Sequence, residues 1–142
     1  MISFIKYHPR SNTYVIEKQA FLDEDLTLDG NVIVGQEVKF WKNLTVTGKL
    51  ELGKGSVIRG NVKARSALVC SKAKILGNIE TASELVLLDK AKINTAACQG
   101  DIHVRPGCVL DFVKADGTLE LIGKVLVRKV APLTKVIIRA EE

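Results

Sequence analysis

Large rings are scarce in this sequence. Phe, Trp and Tyr make up 5% of the 142 residues, whereas hydrophobic residues as a whole reach 46%. That is enough apolar material for one core, but an ordinary globular core of this size draws on more aromatics. Thin, regular layers draw on mid-sized aliphatics instead. Cysteine is sparse too. Cys70, Cys98 and Cys108 form an odd set without C-x-x-C spacing, which argues against a disulfide framework or a zinc site and suggests a reducing cytoplasm. No apolar run approaches the roughly 18 residues of a membrane span. Met1 to Arg10 lacks the long apolar stretch of a secretory signal. Runs of like charge are also missing: 21 Lys and Arg are interleaved with 16 Asp and Glu, for a net charge of +5. The plain reading is a solvated surface, with enough positive charge left to meet an anionic membrane. No specific nucleic-acid contact is expected.

What the sequence has is a repeat. A triplet of the form aliphatic, anything, aliphatic recurs as Val32-Ile33-Val34, Leu50-Glu51-Leu52, Leu68-Val69-Cys70, Leu85-Val86-Leu87, Ile102-His103-Val104, Leu119-Glu120-Leu121 and Val136-Ile137-Ile138. Successive starts are 18, 18, 17, 17, 17 and 17 residues apart, and Tyr14-Val15-Ile16 precedes Val32 by 18. Two further columns keep the register. Leu26, Leu44, Val62, Ile79, Ala96, Val113 and Val130 stand six residues before the triplets. Leu22, Phe40, Ile58, Leu76, Ile93, Leu110 and Val127 stand eight residues after their starts. Polar residues such as Thr27, Thr45, Lys63 and Glu80 alternate with these columns, as strands with one face inward require.

The pattern predicts an all-β chain: a single-stranded right-handed parallel β-helix of about seven turns, each of 17–18 residues with three short strands. Residues 1–12 form a tail or cap, 13–138 the helix, and 139–142 a tail. The right hand follows from the general preference of parallel crossovers and from the 17-residue turns, which exclude strict hexapeptides. The core columns include Leu50, Leu52, Leu68, Leu85, Leu87, Ile102, Val104, Leu119 and Leu121. The shortening from 18 to 17 is placed at the corner between Leu76 and Ile79, and glycines mark bends where positive φ or close approach is needed.

A β-helix has two open ends, and unpaired edges must be capped or paired. Tyr14, Ile16 and Leu22 mark one end turn; Val130, Val136 and Ile138 mark the other, with no amphipathic helix after Val136 to cover it. End-to-end stacking of copies is the simplest way to satisfy both. Segments such as Val57-Ile58-Arg59-Gly60-Asn61-Val62-Lys63-Ala64 and Ile75-Leu76-Gly77-Asn78-Ile79-Glu80-Thr81-Ala82 resemble the repeated V-x-G-N/D-I-x-A signature of bactofilins, over roughly residues 26–125. The resemblance implies a cytoskeletal scaffold, without nucleotide or other cofactor, that polymerises end to end and is often membrane-associated. Met1 to Lys6 looks like the short membrane-targeting peptide of some members. Ile2, Phe4, Ile5 and Lys6 would then contact lipid; otherwise Phe4 and Ile5 fold over the first turn as a cap.

Outward apolar residues offer a lateral stripe: Val69 beside Val86, and Val57, Ile75, Val109 and Leu126 together. Trp41 stands near Lys39 and Lys42, a thin basic-aromatic signal. Catalytic readings are weak. Gly48 to Lys54 opens like a phosphate-binding G-x-x-x-x-G-K loop, but Gly55 replaces Ser or Thr and no helix follows. His103 is outward on a strand, with Asp101 and Arg105 as its neighbours. Glu51 and Glu120 share a column four turns apart, too distant to act as a pair. The three cysteines are read as small core fillers. A non-enzymatic scaffold is the leading expectation. An acyltransferase-like β-helix enzyme and a monomeric binding module with a basic surface are the alternatives.

Overall fold

The computed structural model describes residues 4–141. Along the chain, β1 (Ile5–His8) and a 3-10 turn (Pro9–Ser11) lead into β2 (Thr13–Ile16), β3 (Phe21–Leu22) and β4 (Leu26–Leu28). The second coil is β5 (Asn31–Val34), β6 (Lys39–Phe40) and β7 (Leu44–Val46); the third opens with β8 (Lys49–Leu52) and β9 (Val57–Ile58). From there strands run on through corners, as β10 (Val62–Val69), β11 (Lys74–Leu87) and β12 (Lys92–Cys98). The last coils are β13 (Asp101–Val104), β14 (Val109–Ala115), β15 (Thr118–Ile122), β16 (Leu126–Val130) and β17 (Lys135–Arg139).

From β2 onward every ladder is parallel and joins a strand to its counterpart one coil away, so the chain is a parallel β-helix of about seven turns. The core is a stack of aliphatic columns. One runs Tyr14, Val32, Leu50, Ala67, Leu85, Ile102, Leu119, Val136, and its partner runs Ile16, Val34, Leu52, Val69, Leu87, Val104, Leu121, Ile138. A second flank stacks Leu22, Phe40, Ile58, Ile75, Ile93, Leu110 and Val127. The third stacks Leu26, Leu44, Val62, Ile79, Ala96, Val113 and Val130, as expected throughout.

One coil is out of step with the expected columns. Ala67, not Leu68, lies beside Leu50 and Leu85, and Val69, not Cys70, lies beside Leu52 and Leu87. Leu68 is half-exposed between Glu51 and Val86 and, contrary to expectation, is not a core residue. Ile75 replaces Leu76 inside, and Leu76 is 55% exposed. The cause is the apolar run Ala67-Leu68-Val69-Cys70, which fits either phase; turning Leu68 inward would also turn Ser66 inward. The first residue is lost at the Ala64–Ser66 corner, where the ladder shifts, instead of between Leu76 and Ile79. The expected lateral stripe changes accordingly. Val69 and Ile75 are buried, and Leu68 joins Val86 on the surface.

Apart from their cysteines, two buried columns lay outside the sequence reading. Ala20, Val38, Ser56, Ala73, Ala91 and Cys108 line one corner; Leu28, Val46, Ala64, Thr81, Cys98 and Ala115 line another. Cys98 and Cys108 are therefore core fillers, while Cys70 is only half-buried at a corner. The first of these corners is built on left-handed residues. Gln19, Glu37, Gly55, Lys72, Lys90 and Gly107 all have positive φ, and each donates its N–H to a carbonyl of the next coil. Only two of the six are glycine. The coil-to-coil hydrogen bond offsets the modest strain that this conformation carries for the others.

Candidate functional site

The two ends of the rod differ. At the N-terminal end β1 runs antiparallel to β2, with Ile5 opposite Ile16 and His8 opposite Thr13. The 3-10 turn and the left-handed Asn12 reverse the chain. Three contacts fasten this hairpin. The Tyr7 and Tyr14 rings lie 4.6 Å apart, the Tyr7 hydroxyl donates to Asn12 Oδ1 at 2.9 Å, and Lys6 Nζ is 3.8 Å from Glu17. Phe4 and Ile5 pack against the core, and Lys6 is largely exposed. Ile2, expected with them, lies outside the described residues. Ile16 is fully buried; Tyr14 and Leu22 are half-buried. β1 thus covers the outer edge of β2, whereas β3 and β4 each pair with a single strand among the described residues.

At the C-terminal end, β16 pairs with β14 and β17 with β15, and no described strand covers their outer edges. The inward columns emerge here. Val136 is 42% and Ile138 75% exposed, Leu133 is fully exposed, and Val130 is half-buried. The last strand is held through its outward side. Arg139 Nε donates to Glu120, and Glu120 also lies 3.1 Å from His103 Nδ1. The other ring nitrogen of His103 is 3.6 Å from Glu84. One residue from each of four successive coils therefore joins a single polar chain. Arg139, and secondly His103, holds the Glu120 carboxyl below the usual carboxylate range.

These partners replace the neighbours expected for His103. Asp101 instead accepts the N–H of Thr118, and Arg105 pairs with Asp89. The same-column spacing of 17 residues between His103 and Glu120 was visible in the sequence and points to this contact. The Gly48 to Lys54 segment enters β8 with Leu50 and Leu52 buried, and no helix follows it. Burial pushes the Cys108 thiol up; burial, with Glu51 nearby, does the same to Cys70, and both resist forming a thiolate. Among the described residues no group of three His, Cys, Asp or Glu side chains is placed to hold a metal ion. No helix among them is long and apolar enough to cross a membrane.

The G-N segments acquire a physical meaning. Asn43 Oδ1 accepts the N–H of Asn61 at 2.7 Å, and Asn61 Oδ1 accepts that of Asn78 at 3.0 Å. Each carboxamide occupies the space over the next coil's glycine. A Cβ on Gly60 would sit 2.5 Å from Asn43 Oδ1, and one on Gly77 2.6 Å from Asn61 Oδ1. Glycine and asparagine recur together because one makes room for the other. No protein-family model, curated protein or solved structure matches the chain.

Proposed function

We propose that this protein is a non-enzymatic, bactofilin-like scaffold that associates end to end with copies of itself. The observation that carries the reading is the C-terminal turn. Its outer strand edges are unpaired among the described residues, and the inward side chains Val136 and Ile138 reach solvent where the next layer of a continuing solenoid would lie. Exposed edges with apolar side chains favour pairing with another chain. The N-terminal end supports a second contact less fully, because β1 occupies the edge of β2 and, among the described residues, leaves only β3 and β4 open.

Light scattering and negative-stain microscopy test this directly. The expected result is dimers or filaments whose population rises with concentration, and monomers for Ile138→Lys, a site exposed enough to take the charge without unfolding the rod. A wild-type chain that stays monomeric at every concentration would overturn the scaffold reading.

A further inference from the structure

The flank formed by β3, β6, β9 and the first residues of β11, β12, β14 and β16 has an unusual surface. Facing outward on it are five exposed cationic side chains, of which four are Lys39, Arg59, Lys74 and Lys92 and the fifth, Arg128, is paired to Asp111. Lys74 and Lys92 are neighbours across one ladder step. Among the described residues none of the four takes part in an ion pair. Large apolar groups share the same plane: Phe21 is 47% exposed, Leu76 and Leu126 are each 55% exposed, and Trp41 is half-buried. Its acids are few, and Asp111 is paired to Arg128 at 3.1 Å. The flank bearing the triplets is mixed in charge, with Glu51, Glu84, Asp101 and Glu120 interleaved with Lys49, Lys135 and Arg139 along its outer side.

We propose that this basic, apolar flank docks the rod lengthwise on an anionic lipid bilayer. A flat array of cations with interspersed Phe, Trp and Leu matches an interface that offers negative headgroups above a hydrocarbon layer. Nucleic acid fits less well, because base stacking needs open aromatic faces. The Trp41 ring is already covered by the Arg59 guanidinium at 4.3 Å, and Phe21 meets it edge-on at 5.1 Å and 85°. Leu76 and Leu126 have no role in a polyanion complex. The surface is separate from Phe4 to Lys6, and it leaves both ends of the rod free. A single copy uses it as well as an assembly does.

Trp41 is the sole tryptophan in the sequence, so its emission reports on the flank. The protein is titrated with phosphatidylcholine vesicles with and without phosphatidylglycerol, following Trp41 emission and co-sedimentation. The expected result is a blue shift and pelleting with the anionic vesicles only. Lys74→Glu/Lys92→Glu lowers the partition at least about tenfold, since each lysine contributes about fivefold. Lys63→Glu/Lys114→Glu, the same charge change on the third flank, lowers it far less. Deletion of residues 1–6 retains binding. The inference is overturned by equal losses in the two double variants, by pelleting without a Trp41 shift, by loss on the deletion alone, or by oligonucleotide binding that displaces the vesicles. The wild-type emission arm stands even where a variant fails to fold.

Discussion

The backbone N–H of Val38 donates to the Ser56 hydroxyl of the next coil at 3.1 Å, and that hydroxyl in turn donates to the Gly35 carbonyl at 3.0 Å. A polar group thereby sits in an otherwise apolar column with both of its bonds made. A second buried hydroxyl, Thr81 Oγ1, has no hydrogen-bond partner among the described residues. The two should respond with opposite signs. Ser56→Ala strands the Val38 N–H and lowers stability by about 1–3 kcal/mol. Thr81→Val keeps the shape, removes an unsatisfied group and raises stability by about 1 kcal/mol. Urea midpoints of the two variants measure the difference.

Leu68 and Val69 separate the two possible registers. Val69 is fully buried, so Val69→Asp places an unpaired charge in the stack and costs about 4 kcal/mol or more. Leu68 faces out beside Glu51 and Val86, and Leu68→Asp changes stability by about 1 kcal/mol or less. Thermal melts decide between them; a larger loss at Leu68 would contradict the register.

The extent to which the fold could be read from the residues follows from how each coil alternates. Where apolar and polar residues strictly alternate, as in Lys49-Leu50-Glu51-Leu52, only one face can turn inward, and the columns were legible. Where four apolar residues adjoin, as in Ala67 to Cys70, periodicity carries no phase, and corner geometry at Ala64–Ser66 decides. The column Ala20, Val38, Ser56, Ala73 was hidden for another reason: small residues at a corner look like loop. The ends were legible as positions but not as environments. Nothing in Ile5-Lys6-Tyr7-His8 announces an antiparallel return onto β2, because a four-residue strand pairs in either direction with similar side chains.

Gly77 and Gly55 should differ sharply when given a methyl group. A Cβ on Gly77 would lie 2.3 Å from the Gly60 carbonyl oxygen, a backbone atom that cannot move without parting two coils. Gly77→Ala is expected to cost about 3 kcal/mol. Gly55 has φ +72°, but its nearest neighbour is the flexible Glu37 Cγ at 3.3 Å. Its replacement by Ala costs about 1 kcal/mol, the ordinary strain of that conformation. Denaturant titration of both variants checks the ranking.

Glu120 couples the last strand to pH. Its carboxyl is held below the usual range in the folded chain, so its contribution is fully present above the unfolded carboxylate value and disappears as pH falls through the folded one. Glu120→Gln should therefore be less stable than wild type at neutral pH, and the gap should close on acidification. Because Arg139 is exposed, added salt should shrink the gap as well. Melting curves across acidic to neutral pH, at two salt concentrations, make the comparison.

Past the first hairpin, each strand bonds only to its counterparts one coil before and one coil after. Mechanically such a rod resembles links in series more than a single block. Tension applied along its axis would be borne by one interface after another, and the first to part would be the weakest. At the C-terminal end the junction of β15 with β17 has inner side chains on which no further described layer presses. Unwinding is expected to start there and advance toward the hairpin, so the described chain carries a direction of failure as well as a direction of synthesis.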